Sequence, residues 1–292
     1  MEELIFTSIK NTFSGKLWGW LVGSASTLLA ILAFAKNFLN ATIETSIRYG
    51  VYFFLALLVL RLILFFLLNV SKFLYFTYHE SVYGDAIILL RDSFSKIHEL
   101  RKIEEIDDKE FMEVMIAFCN NLKIIFDKKT KRNSSVSIKV PVKGNVNEMT
   151  NVFNLCRDSV ATKTRDTDIY KQANHTIIGN TPYQKIVNNI LQGKKDKLFY
   201  KNNDIAGSND YENTSLGVYA DGKLPYKSEL VYPLIPHQGD RKANNYECIG
   251  FICVDCEVKN AFDDKYDVAI ISGVADGIYD TITIRNRQKA KL

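Results

Sequence analysis

A chain of 292 residues is long enough for one large domain, or for a middle-sized one with accessory segments. With 37 Lys and Arg against 33 Asp and Glu, the formal charge of +4 is too small to point to nucleic acid, and no such partner is expected. Five cysteines, Cys119, Cys156, Cys248, Cys253 and Cys256, form no spaced framework, as expected of a reducing compartment, so the soluble part is placed in the cytoplasm.

The N-terminal region departs from an ordinary globular composition. Residues 17–35, LWGWLVGSASTLLAILAFA, carry no charge, and a helix of about 20 such residues matches the roughly 30 Å hydrocarbon core of a bilayer. Residues 49–70, YGVYFFLALLVLRLILFFLLNV, are broken only by Arg61. Two transmembrane helices are therefore expected, at about 17–35 and 49–70, within an anchor spanning 1–78. An alternative for the first is a cleaved signal peptide, since Ala33-Phe34-Ala35 has small-x-small character and Lys10 and Lys16 precede it. Its length and the second span argue for an anchor in the inner or plasma membrane, with the lipid bilayer as partner. Arg61 has two readings. Within a span, a charge is costly and often faces a partner helix or a water-filled path; in a shifted span it snorkels to the headgroups, with Phe73, Tyr75, Phe76 and Tyr78 at the interface.

Residues 79–130 read as an amphipathic helical connector. Tyr83, Ala86, Leu90, Ser93, Ile97 and Leu100 alternate at spacings of three and four, a seam that suits either a dimerising stalk or packing on the chain's own domain. A second helix is predicted from Asp107, an N-cap with Glu110 three positions on, with its stripe at Phe111, Met115, Phe118, Leu122 and Ile125. The basic runs at 128–132 and 285–292 are read as solvated ends, or as contacts to anionic headgroups.

From Val136 the period switches to two. Residues 136–142, VSIKVPV, predict a strand whose late Pro141 suits a sheet edge. Residues 147–159 predict a helix with Met149, Val152, Phe153 and Cys156 on one side. A polar, turn-rich region follows, with a short helix at 182–191. Residues 228–237 and 247–258 predict central strands, and 263–285 a closing helix with Tyr266, Ile270, Val274 and Ile278 on one stripe.

In ECIGFICVDCEV an unbroken strand would place Cys248 and Cys256 on one face, about 26 Å apart, and Cys253 on the other. No single metal reaches all three, and Val254-Asp255 lacks the glycine of a tight knuckle. The four histidines are scattered and read as surface or interface residues. There is no G-x-S-x-G stretch, Walker loop or H-E-x-x-H. Neither a metal nor a cofactor is expected.

SELVYPLIPH, CIGFICVDCE and AFDDKYDVAIISGVADGIYDTI together resemble the terminal half of a GAF domain. In that family a strand ending in a hydrophobic-Pro-Leu step, here Val231 to Leu234, precedes a strand of the type hydrophobic-Gly-hydrophobic-hydrophobic-x-hydrophobic-Asp, here Ile249 to Asp255. A Phe and an Asp, here Phe262 and Asp267, then lead into the closing helix. The resemblance covers roughly 108–286. It implies an α+β fold, an antiparallel sheet flanked by helices over 131–292, that senses a small molecule and dimerises through its terminal helices. The N-K-F-D-E motif of cyclic-nucleotide phosphodiesterases is absent, as are a chromophore-attachment cysteine and the cysteine spacing of the free methionine sulfoxide reductases. Candidate ligand-binding residues are Arg157, Asp158 and Arg165, where a guanidinium fork suits carboxylate or phosphate, with Asn180, Thr181 and Tyr183 in the loop region over the pocket. The competing reading makes Arg157 and Asp158 helix-end charges and Asn180-Thr181 a helix cap before Pro182.

The expected function is that of a membrane-anchored cytoplasmic sensor, not an enzyme, binding a nucleotide, a metabolite or a protein partner and forming a homodimer through the connector and C-terminal helices. No module follows the closing helix, so output is expected through the connector and spans or through a separate partner. A membrane-disrupting effector switched by a nucleotide messenger and a GAF-fold enzyme are the alternatives.

Overall fold

The structure, a computed structural model, describes residues 23–25, 27, 30–31, 41–141, 151–165, 175–194, 198–219, 222–236 and 248–290. They divide into two compact units, Met1–Ser81 and Val82–Leu292, each described by itself. Helix α1 (Ala41–Arg101) contributes to both.

In the first unit, Arg48–Tyr75 is long and apolar enough to cross a membrane, and among the described residues it is the one such stretch. The expected span 49–70 lies inside it, while the span at 17–35 falls largely outside the described residues. Tyr52, Phe53, Leu60, Leu64 and Leu68 are all exposed, an apolar surface that water does not favour and lipid does. Arg61, also exposed, stands at the middle of the stretch.

The second unit is built on a six-stranded antiparallel sheet. Its strands are β1 (Ser134–Pro141), β2 (Asn151–Arg157), β3 (His175–Thr176), β4 (Tyr200–Asn202), β5 (Ser228–Pro233) and β6 (Phe251–Cys256), in the order β3-β2-β1-β6-β5-β4. The end of α1, α2 (Asp108–Thr130) and α5 (Tyr266–Lys289) cover one face. Helix α4 (Thr181–Leu191) and residues 203–219 and 222–226 lie on the other, and the short α3 (Ser159–Arg165) follows β2.

The first face carries the larger core. Asp107 caps α2 by accepting from the Lys109 N–H, and Phe111, Met115, Phe118, Leu122 and Ile125 are all at most 2% exposed. Burying each is worth about 1.5–3 kcal/mol. The α1 seam packs on this same domain. Ser93 accepts from the Asn121 amide at 2.8 Å, Phe94 meets Phe118 edge-on, and Arg101 donates to the Gly277 carbonyl of α5. The buried stripe of α5 is Ile271, Val274, Ala275, Ile278 and Ile282, which corrects the expected one: Tyr266 is exposed and Ile270 only half-buried. The basic runs are partly tied down, Lys128 to Asp85, Lys129 to Asp267, and Arg285 and Lys289 to Asp108.

Three further expectations are corrected. Residues 151–157 form β2 rather than a helix; residues 147–150 lie outside the described residues. Between Ile138 and Lys139 the partner on β2 jumps from Cys156 to Asn154, leaving Leu155 as an extra, bulged residue. Val152 and Cys156 therefore fall on opposite faces, and the period-two signal disappears from the sequence. Second, β1 is central and pairs with both β2 and β6. Pro141 is tolerated because β6 pairing ends at Lys139, where no ladder bond from its nitrogen is needed. Third, Cys248 lies on the same side as Cys253, and Cys256 lies opposite. Alternation slips at Gly250, whose φ is 154° and whose added Cβ would sit 2.2 Å from the Lys139 carbonyl oxygen.

Candidate functional site

Sequence alternation along the three central strands sends a polar row to the second face. Ser135, Ser137 and Lys139 of β1, Glu229 of β5, and Cys253 and Asp255 of β6 all face a recess there. Registers align them in rows: Glu229, Asp255 and Ser135 across β5, β6 and β1, then Val231, Cys253, Ser137 and Arg157 across β5, β6, β1 and β2. Helix α4 with its cap and β3 supply Tyr183, Asn180 and His175, and residues 203–219 and 222–226 complete the lining with Asn213, Ser215, Tyr219 and Tyr226.

The chamber holds about 50 Å³, room for a few water molecules. A second, more open recess of about 400 Å³ adjoins it, sharing Ser135, Tyr219, Tyr226 and Asp255 and adding Asn133, Thr164 and Glu257.

The electrostatics are unusual for strand interiors. Glu229, 3% exposed, is directly opposite Asp255, and like charges so placed repel. Burial and the Asp255 carboxylate push the Glu229 carboxyl up to about 8, while Lys139 and a hydrogen bond from the Tyr211 hydroxyl to Oε2, at 2.8 Å, pull it down. Burial lowers the Lys139 ammonium, whose Nζ sits 5.5 Å from the centre of the Tyr183 ring. His175 is pushed down to about 3 by burial, with Lys139 and Arg157 adding repulsion, so it is a neutral ring with Nδ1 2.8 Å from the Ser215 hydroxyl. Burial pushes the Cys253 thiol up to about 12, leaving a protonated sulfur 3.6 Å from the Tyr183 hydroxyl.

Of the six residues expected to bind ligand, Arg157, Asn180 and Tyr183 line the chamber. Asn180 is also structural: its amide donates to the Thr176 carbonyl and the Thr214 hydroxyl, and its oxygen accepts from the Thr214 N–H. Asp158 is fully buried, and its carboxylate accepts from the Val136 and Ala161 N–H groups and the Ser135 hydroxyl, tying β1 to the start of α3. The Thr181 hydroxyl donates to the Asp210 carbonyl and accepts from the Glu212 N–H, holding the loop. Arg165 closes α3, and its side chain is outside the described residues. The competing helix-end reading is thus met at Asp158, while Arg157 turns into the chamber.

Sequence reasoning missed Lys139, His175, Glu229, Cys253 and Asp255. A signal existed: Glu229 and Asp255 are carboxylates embedded in two otherwise apolar strands, and such residues are almost never buried without a purpose or a partner.

No family model matches the chain, and no curated protein matches it. Solved structures do. A GAF domain structure shares 12% identity and a TM-score of 0.44, covering 67% of this chain and 88% of its own. The GAF domain of the Acinetobacter phosphoenolpyruvate-protein phosphotransferase shares 8% and 0.40, covering 67% and 93%. The type II free methionine-R-sulfoxide reductase of Thermoplasma acidophilum shares 20% and 0.38, covering 60% and 93%. At such scores these likenesses bear no argument about ligand or reaction. Several of the matched structures are free methionine-R-sulfoxide reductases, so the expectation that the chain is not an enzyme is withdrawn.

Proposed function

We propose that the chain is a sensor held at a membrane by the Arg48–Tyr75 helix, and that its α+β domain binds a small polar molecule bearing a cationic group. The observation that carries this is the pairing of buried Glu229 with half-buried Asp255, two carboxylates opposite one another across β5 and β6 in the recess. Burial and the Asp255 carboxylate hold Glu229 protonated, a cation arriving between the two relieves the repulsion, and Lys139 and Arg157 in the same wall suit an anionic group on the same molecule. A zwitterion of amino-acid size has both. The chamber is too small for such a molecule as it stands, so residues 203–219 and 222–226 move on entry and the adjoining recess takes whatever projects outward.

The test is thermal unfolding of the full chain in detergent micelles against amino acids, amines, nucleotides and simple carboxylates. A ligand at 100 times its Kd adds about 2.7 kcal/mol. Amino acids or amines are expected to raise Tm, and Glu229→Gln to abolish the effect. A response to nucleotides alone, or one indifferent to Glu229→Gln, would refute the assignment of the chamber. Turnover is tested alongside by product analysis on any molecule that raises Tm.

A further inference from the structure

All five cysteines are buried, and two of them meet away from the chamber. Cys119, on the middle of α2, and Cys156, next to the end of β2, meet with their sulfurs 3.8 Å apart in the larger core. A disulfide needs about 2.05 Å, so each Sγ moves by roughly 1 Å, within reach of a side-chain rotation. The contact lies beneath an exposed rim, where the Asn120 amide donates to the Ser159 hydroxyl and accepts from the Ser159 N–H. Cys156 is 4% exposed and Cys119 is 0%, so an opening of the seam reaches Cys156 first.

From this juxtaposition we infer that Cys119 and Cys156 are a site of reversible disulfide formation, fastening the connector helix α2 to the strand that carries Arg157. The oxidant class is a low-molecular-weight disulfide such as oxidised glutathione. The Cys156 thiolate attacks one glutathione sulfur, forming a mixed disulfide and releasing one glutathione thiolate. The Cys119 thiolate then attacks the Cys156 sulfur and expels the second. Two thiols are oxidised, one glutathione disulfide is reduced, and the two protein protons end on the two glutathione molecules. In a reducing compartment the pair rests as thiols. The hydrogen bond with the Cys156 sulfur, and then burial, hold the Cys119 thiol well above its ordinary range, which keeps that resting state inert. The inference is independent of the ligand assigned to the chamber.

The experiment equilibrates the full chain in detergent micelles with glutathione buffers of rising oxidised fraction, quenches with acid and an alkylating agent, and maps tryptic peptides. The expected result is one cross-linked pair, peptides 110–123 and 144–157, lighter by two hydrogens. Cys248, Cys253 and Cys256 should remain thiols, and the oxidised protein should melt roughly 5–10 °C higher than the reduced. Cys119→Ser and Cys156→Ser should each remove both the pair and the rise in Tm. The wild-type melting comparison stands even if a variant folds poorly. A link found only in denaturant, a mixture of pairings, or persistent glutathione adducts without the cross-link would overturn the inference.

Discussion

Replacing Glu229 with Gln tests the electrostatics of the chamber without any ligand. The carboxyl, ordinarily near 4.5, sits at about 8 in the fold because it is buried opposite Asp255. Below pH 4.5 the folded and unfolded chains both hold the proton, and nothing is gained or lost. Between about 4.5 and 8 the unfolded chain releases it and the folded chain keeps it, so stability falls as pH rises and the cost is complete above 8. At about 1.4 kcal/mol per tenfold change in proton affinity, the full span is on the order of 5 kcal/mol. About 2–5 kcal/mol of this is expected to appear in the melting comparison. Gln has no proton to lose and keeps an oxygen for the Tyr211 hydroxyl. Glu229→Gln should therefore melt with wild type at pH 5 and about 5–15 °C above it at pH 8.5, followed by circular dichroism of the full chain in micelles. Curves that stay parallel across that range would refute the buried-pair reasoning.

Gly250→Ala forces a Cβ onto the Lys139 carbonyl, and is expected to cost about 3 kcal/mol by thermal unfolding and to disturb the chamber through Lys139. Asp158→Ala leaves the Val136 and Ala161 N–H groups without their acceptor, for a loss of about 2–4 kcal/mol in chemical denaturation. Asn in its place should recover part of that, since its oxygen still accepts one bond. The full chain is expected to stay with membranes through an alkaline carbonate wash, and a pair of charges at Leu64 and Leu68 to release it.

The helices were the most legible part of the sequence, because each carries its own signal. Asp107 announces a cap, and Phe111, Met115, Phe118 and Leu122 recur at helical spacing within one segment. Strand β2 was hidden because its evidence is nonlocal: its bonds are supplied by β1, and the bulge at Leu155 erased the alternation that would have marked it. The chamber was half legible for a related reason. Arg157, Asn180 and Tyr183 lie where a loop and a helix end can be guessed, whereas Glu229, Asp255 and Lys139 meet only after three distant strands fall into register. Their charges were visible, but their adjacency was not.

Gly250 separates two kinds of tolerance to change in chain length. Its slip lets Cys248 keep its side of the sheet although the count of residues to Cys253 is odd. A residue gained or lost among 237–247 is absorbed ahead of the glycine and leaves β6 where it is. The same change between Phe251 and Cys256 would exchange the faces of every residue beyond it, carrying Asp255 into the helix-covered core and Cys256 into the chamber. Length variation is thus free on one side of a single residue and ruinous on the other.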